Sequence, residues 1–226
     1  MTLECLGTGS KGNCYLLTNN NEQLIIELGL KYEKIFSKID LSKVVGIICS
    51  HEHSDHIYGN NLEKAKELGV PIITPLDQNY KLLKPYKFGS FIIIPIKAYH
   101  NVDCYAYVIR ANNKTILFAT DTNKMPRINL KIDVLIGEVN HIQTRIENLT
   151  MQDQDGEYTH LLSSYKNHHS LEGMNYYLQT TKYKLDLYII HYSKTKAFDE
   201  KVVVNKLTPI VNKLVVVREG EKYELW

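Results

Sequence analysis

The chain has 226 residues, of which 44% are hydrophobic and 23% charged, a composition typical of a globular domain. Its net charge of +2 is too small to indicate a nucleic-acid-binding protein by itself. No apolar stretch approaches the roughly 18 residues of a membrane helix, and the first residues lack the pattern of a signal peptide. We therefore expect one cytoplasmic domain over residues 1–226, without a membrane partner.

Hydrophobic periodicity predicts many short strands and few helices. In chain order, the predicted strands are 2–6, 14–18, 23–28, 44–49, 70–74, 91–96, 105–109, 115–119, 134–137, 185–190, 213–217 and 222–225. The predicted helices are 31–39, 57–69, 143–164 with a break at 153–156, 171–178 and 196–207, and residues 76–87 are helical or irregular. Strand-rich halves that each end in helices predict an α/β fold with two sheets face to face and helices outside.

A glycine-rich loop over residues 7–13 joins the first two strands. It is not a phosphate-binding loop, because it leads into a strand and lacks the Gly-Lys-Ser/Thr ending. Two interpretations stay open. The glycines either allow a turn with unusual backbone angles, or the loop passes beside a site and offers N–H groups or Asn13 to a substrate.

The four cysteines, Cys5, Cys14, Cys49 and Cys104, form no Cys-x-x-Cys pair and lie in apolar or strand-like contexts. This usage is typical of buried free thiols in a reducing compartment. We therefore do not expect a disulfide framework or a cysteine metal site.

Three histidines and an aspartate follow directly after the apolar strand predicted at 44–49. They are His51, His53, Asp55 and His56, and a helical pattern begins just beyond them. A loop between a buried strand and a helix is where α/β folds place ligands. The spacing lets one short loop supply ligands to two metal ions, because the first two histidines point one way and the last two residues another. Imidazole and carboxylate suit zinc, manganese or iron.

Three more candidate ligands follow predicted strands downstream, at His100, Asp121 and His191. A buried carboxylate such as Asp121 is costly unless it is paired or bound to a metal, although it could instead cap a turn. His191 repeats the form of an apolar strand followed by a ligand type. His100, taken alone, has the ordinary reading of a surface or core histidine.

This residue pattern resembles that of the metallo-β-lactamase fold family, and the likeness extends along nearly the whole chain. The resemblance implies a four-layer αββα sandwich of two mixed sheets with helices outside. It assigns seven ligands to two ions, namely His51, His53 and His100 to the first, Asp55, His56 and His191 to the second, and Asp121 to both. It also implies a homodimer, because family members often pair.

Two divalent ions, zinc being expected and manganese or iron the alternatives, lower the pKa of a bridging water toward neutrality. The hydroxide so formed is the expected nucleophile, and Asp55 beside it is counted with the catalytic residues. Glu27 stands where the family has an aspartate, and we expect it to support the ligand loop through hydrogen bonds. Glu52, between two ligands, is expected to face solvent.

Sequence around Gly9, Glu138 and His168 is similar to the WalJ/YycJ-like branch of the family and, more loosely, to ribonuclease Z-type phosphodiesterases. That similarity implies that His168 protonates the leaving oxygen, with Glu138 orienting it. His141 is a weaker candidate for the acid. The competing interpretation is that His168 merely precedes and caps a helix.

We therefore expect a two-metal phosphodiesterase acting on nucleic acid or a cyclic nucleotide. The alternatives are a thioester or lactone hydrolase that uses the same hydroxide, and a metal-binding module without turnover. Tyrosines and lysines also interleave between Tyr80 and Lys87. Such a segment either grips a phosphate backbone and stacks bases or forms a solvated amphipathic face.

Overall fold

The computed structural model describes residues 1–152 and 165–226, with the side chains of 149–152 outside that description. The strands are β1 (Thr2–Gly7), β2 (Cys14–Asn19), β3 (Glu22–Ile26), β4 (Val44–Ile48), β5 (Ile72–Ile73), β6 (Tyr86–Phe88), β7 (Phe91–Lys97), β8 (Tyr105–Ala111), β9 (Lys114–Ala119), β10 (Val134–Glu138), β11 (Asp186–Ile190), β12 (Lys213–Val216) and β13 (Lys222–Glu224). The helices are α1 (Tyr32–Phe36), α2 (Asn61–Lys66), α3 (Gln143–Gln152), α4 (Leu171–Gln179) and α5 (Glu200–Leu207). The helix break predicted at 153–156 lies outside the described residues.

These strands form two mixed sheets, which pack face to face. One sheet has the order β13-β1-β2-β3-β4-β5 and the other β12-β11-β10-β9-β8-β7-β6. A core of buried residues from both sheets, including Tyr15, Phe91, Tyr107 and Phe118, lies between them. This arrangement confirms the predicted pair of sheets in an α/β fold.

The helices cover the outer faces of the sheets. Ile35 of α1 and Ala65 of α2 pack in one buried cluster on the first sheet. Met174 of α4 and Val203 of α5 pack in another on the second sheet. The four layers follow the order helix, sheet, sheet, helix, as the resemblance implies. No helix in the described ranges has both the length and the apolar character needed to cross a bilayer.

Parallel pairing brings several strand ends to one edge of the sandwich. β3 and β4 are parallel, and so are β9, β10 and β11. The segments that follow these strands therefore meet at their carboxyl ends, which is where ligands bind in such sheets.

Helix α2 begins four residues later than the sequence predicts. A single turn forms first, in which the Ile57 N–H donates to His53 O at 2.8 Å. It does not continue as a helix, because the Leu28 N–H donates to His56 O at 2.7 Å and the Tyr58 N–H donates to Leu28 O at 3.0 Å. Gly59 then takes a left-handed φ of 54°. Backbone pairing across the ligand loop thus overrides the local helical pattern. Helix α5 also begins later than predicted, at Glu200 instead of residue 196. The Asp199 carboxylate caps it by accepting a hydrogen bond from the Val202 N–H.

The aromatic side chains between Tyr80 and Lys87 are partly buried. The rings of Tyr80 and Tyr86 pack edge to face with centroids 4.9 Å apart, and both rings lie against the core between the sheets. The lysines of the segment, Lys81, Lys84 and Lys87, are exposed. The interpretation of an amphipathic surface face is the one that fits.

Tyr107 links the two sheets just below the ligand loop, because its hydroxyl donates to Cys49 O at 2.6 Å and lies 3.1 Å from Ile73 O. We expect Tyr107→Phe to lower the free energy of unfolding by about 1–2 kcal/mol, since a buried hydrogen bond is lost without a cavity. Urea unfolding measures it. Tyr58→Phe, at a ring 45% exposed, should change stability little, and an equal loss in both variants would contradict the assignment.

Candidate metal centre

The seven side chains that the sequence predicts as ligands meet at the edge where the strand ends converge. They form two groups in which one donor atom of each residue lies within 4.8 Å of the others. The first group is His51, His53, His100 and Asp121, and the second is Asp55, His56, Asp121 and His191. Four separate segments of the chain thus supply one compact set of nitrogen and oxygen donors, which suits divalent metal ions.

Asp121 lies between the groups and turns one carboxylate oxygen toward each. Its Oδ2 is 3.8 Å from His51 Nε2 and 3.9 Å from His100 Nε2. Its Oδ1 is 3.4 Å from His56 Nε2 and 3.3 Å from His191 Nδ1. The side chain is almost completely buried. A carboxylate so placed can serve two cations at once.

The imidazole of His51 is suited to a metal because it is neutral and has a free nitrogen. Burial, reinforced by the charge of His56, lowers the pKa of His51 to about 2. Its Nε2 is buried and has no hydrogen-bond partner among the described residues. Buried polar atoms are rarely left unpaired, so this nitrogen points to a missing ligand. Burial also lowers the pKa of His100.

The second donor group, which contains Asp55 and His191, stabilises a positively charged imidazole. Burial would lower the pKa of His191, but the Asp121 charge and hydrogen bonds to Asp55 and Glu138 raise it to about 10. Burial opposes ionisation of Asp55 too, yet hydrogen bonds from His191 and His56 hold the pKa of that carboxyl well below its usual range. The carboxylates of Asp55 and Asp121 therefore need positive charge beside them, which protonated histidines or metal ions can provide.

Glu27 supports the ligand loop from below, although it is one methylene longer than aspartate. Both carboxylate oxygens accept from the Ser50 N–H at 3.1 Å, and Oε1 lies 3.4 Å from His56 Nδ1. The Ser50 hydroxyl in turn lies 2.9 Å from His51 Nδ1 and 3.3 Å from His56 Nδ1. One buried carboxylate therefore helps to orient a histidine of each group. This role of Ser50 was not predicted, since its only signal in the sequence is its place directly before His51.

Three residues of this edge have a left-handed backbone. Glu27, Asp121 and His191 have φ of 67°, 43° and 48°, a region that costs a non-glycine residue on the order of 1–2 kcal/mol. Thr8 helps to hold the last of them, because its hydroxyl accepts from the His191 N–H at 2.9 Å. Strain that is held in place at a cluster of donors is typical of a functional site. No sequence signal marked Thr8.

Glu138 and His168 form a third group with Asp121 and His191. The His168 Nδ1–H donates to Glu138 Oε1 at 2.5 Å. Glu138 is fully buried, whereas the His168 side chain is 17% exposed. Burial raises the pKa of Glu138, but the charge of His168 and its hydrogen bond bring it down to about 2. The carboxylate thus fixes one ring nitrogen and leaves the other available on the open side.

The glycine-rich loop supports the cluster from within the protein. The Asn13 N–H donates to Asp55 O at 2.8 Å, and Asn13 Nδ2 lies 3.2 Å from His56 Nε2. Because Asn13 is fully buried, it braces the loop that carries the predicted ligands rather than facing a substrate. Gly12, with φ of 129°, faces Gly29 O, which a Cβ would approach to 2.3 Å. The interpretation as a turn with unusual backbone angles is therefore the one that fits.

Two other residues named from the sequence lie outside the groups. Glu52 is exposed, as expected. His141 is buried, and burial lowers its pKa to about 4, but it belongs to none of the three donor groups found in the described residues. The cysteines are buried free thiols, and Cys104 Sγ lies 4.0 Å from His51 Nδ1.

Two curated proteins are similar to parts of this chain. One is the probable metallo-hydrolase YhfI of Bacillus subtilis, 26% identical over an alignment 156 residues long that covers 56% of this chain and 64% of YhfI. Another is the exodeoxyribonuclease YycJ of Bacillus anthracis, 24% identical over an alignment 163 residues long that covers 60% of this chain and 61% of YycJ. The chain thus matches less than two thirds of the length of these relatives.

The fold of this chain also matches that of a solved structure. The crystal structure of the metallo-beta-lactamase fold protein YhfI superposes with a TM-score of 0.73 over 98% of both chains, at 19% identity. The sequence pattern of the Metallo-beta-lactamase superfamily matches residues 7–132, more than half of the chain, and the protein belongs to this superfamily.

Proposed function

We propose that this protein is a two-metal hydrolase that cleaves phosphodiester bonds in nucleic acid. His51, His53 and His100 would hold one ion, Asp55, His56 and His191 the other, and Asp121 both. The proposal rests on the position of the Asp121 carboxylate, whose Oδ2 faces the first donor group and whose Oδ1 faces the second. We propose zinc as the metal, because neutral imidazoles and carboxylates suit it, as they also suit manganese or iron.

Two divalent ions in these positions would neutralise charge on a phosphate group and lower the pKa of a water that attacks phosphorus. The chain itself supplies positioning and a proton. Glu138 holds His168 through Nδ1, so Nε2 is the atom that gives a proton to the leaving oxygen. Glu138 is a positioning residue in this scheme, and His168 is the catalytic acid.

The acid His168, held by Glu138, favours a phosphodiester over a thioester substrate. A departing sugar oxygen is a strong base and needs a proton, whereas a thiolate, with a pKa near 8.5, leaves without one. The names of relatives such as the exodeoxyribonuclease YycJ support the same substrate class, with DNA as the first polymer to test. The homodimer that the resemblance implies stays a prediction, and the mass of the protein in solution tests it.

A substrate panel separates the candidate classes. Zinc- or manganese-loaded protein is given bis-p-nitrophenyl phosphate, a 2′,3′-cyclic nucleotide, single-stranded and duplex DNA, a lactone and a thioester. Cleavage of the phosphodiesters supports the proposal. Cleavage of the thioester or lactone alone would show an acyl hydrolase, and turnover of none of them would indicate a metal-binding module.

Removing the shared carboxylate should disrupt both metal positions. We expect the wild-type chain to retain two zinc ions per chain after gel filtration and Asp121→Asn to retain at most one, as measured by mass spectrometry of the metal. Glu52→Gln is the control, since this exposed carboxylate lies in the loop that carries His51 and His53 but belongs to neither donor group. Unchanged zinc content in Asp121→Asn would contradict the bridging role.

Removing the charge of Glu27 should weaken metal binding without touching a ligand. We expect Glu27→Gln to lower zinc affinity about 10- to 100-fold, because residues that orient ligands typically contribute that much. Competition with a chromogenic chelator measures the affinity. Glu22→Gln, at the start of the strand that Glu27 follows, should bind zinc normally. Equal affinity of Glu27→Gln and wild type would argue against the support role.

The acid role of His168 predicts an effect that depends on the leaving group. We expect His168→Ala to slow cleavage of a DNA oligonucleotide about 10²- to 10⁴-fold. Cleavage of bis-p-nitrophenyl phosphate should slow far less, since nitrophenolate leaves without a proton, and zinc content should be unchanged. His141→Ala, outside the groups, is the control. Equal losses on both substrates would remove the acid role.

A further inference from the structure

A depression made of adjoining cavities lies beside the metal centre on the side of His100. It consists of three adjoining cavities of about 750, 310 and 270 Å³. Lys97 and Tyr99 line both the first and the second cavity, and Arg127 and Ile128 line both the second and the third. Because neighbouring cavities share lining residues, the three lie side by side, and the first of them includes His100.

The depression is strongly basic, unlike the chain as a whole. Its walls contain five cations, Lys97, Lys124, Arg127, Lys131 and Lys182, against one acid, Asp103. The whole sequence has 27 lysines and arginines against 25 acids. All five cations are exposed. We call this set the basic groove. Its charge suits a polyanion, since each phosphate contact releases counterions.

Exposed aromatic rings accompany the cations. Tyr99, at the junction of the first two cavities, is 49% exposed, and Tyr176 is 64% exposed. The Arg127 guanidinium lies 5.7 Å from the Tyr176 ring centroid and donates to the Thr180 hydroxyl at 2.7 Å. Rings beside a positively charged channel are how proteins hold unpaired bases. These tyrosines differ from Tyr80, whose ring packs against the core.

We propose that the basic groove binds a single strand of DNA and leads one end of it past His100 to the metal centre. The cations contact phosphates, and the faces of Tyr99 and Tyr176 stack against bases. A paired duplex hides its base faces, so a single strand uses both features and a duplex only the first. This inference rests on the proposed function, because it names the substrate of the same site.

Binding is measured separately from turnover to test this proposal. The zinc-loaded full chain is titrated with a fluorescein-labelled, hydrolysis-resistant phosphorothioate single strand at several salt concentrations. The test variant carries Lys97→Gln, Lys124→Gln and Lys131→Gln. The matched control carries Lys38→Gln, Lys66→Gln and Lys201→Gln, which removes the same charge at exposed lysines outside the groove. Thermal unfolding and zinc content verify that both variants are intact.

The groove variant should bind on the order of 100-fold more weakly at 0.1 M salt, with the slope of log K against log salt reduced by about 2, as expected for three lost phosphate contacts on a single strand. The control should bind like wild type. Equal binding by the two variants would overturn the proposal, as would tighter binding of a duplex or equal competition by poly-glutamate. Turnover of bis-p-nitrophenyl phosphate by the wild-type protein tests the proposed hydrolase activity separately. A failure of that activity can therefore be told apart from a failure of DNA binding in the groove.

Discussion

The Asp121 carboxylate is the constraint on which the rest of this structure depends. It is nearly inaccessible to solvent, its backbone is left-handed, and its two oxygens face different sets of imidazoles. A buried carboxylate is expensive unless it is compensated. Burial would raise the pKa of Asp121, but His191, His56 and His168, on three other segments of the chain, hold it well below its usual range. Folding to this structure therefore favours an arrangement in which those segments lie at the same edge of the two sheets.

The fold achieves this convergence with parallel strand ends and buried braces. Glu27 ties Ser50 and His56 to the end of β3, while Glu138 ties His168 and His191 to the end of β10. Each carboxylate is itself removed from water, so its hydrogen bonds are made in a low-dielectric interior where they are strong. Hydrogen bonds that fix the orientation of the donors in this way reduce the cost of binding an ion.

Much of this arrangement could be predicted from the sequence, for a physical reason. Strands buried on both faces produce apolar runs, and a polar residue directly after such a run stands out, as Asp121 and His191 do. The start of α2 could not be predicted, because the backbone of Leu28 pairs with His56 O and the Tyr58 N–H. Thr8 and the basic groove were also missed, since their roles arise from packing between distant segments that leave no periodic pattern.

The central claim is that one carboxylate is shared by two metal ions, and a crystal of the zinc-loaded protein tests it most directly. Anomalous difference maps collected at the zinc edge should contain two peaks, one beside each oxygen of Asp121, with His51 and His100 next to one peak and His56 and His191 next to the other. A single peak, or peaks that do not contact Asp121, would contradict the account.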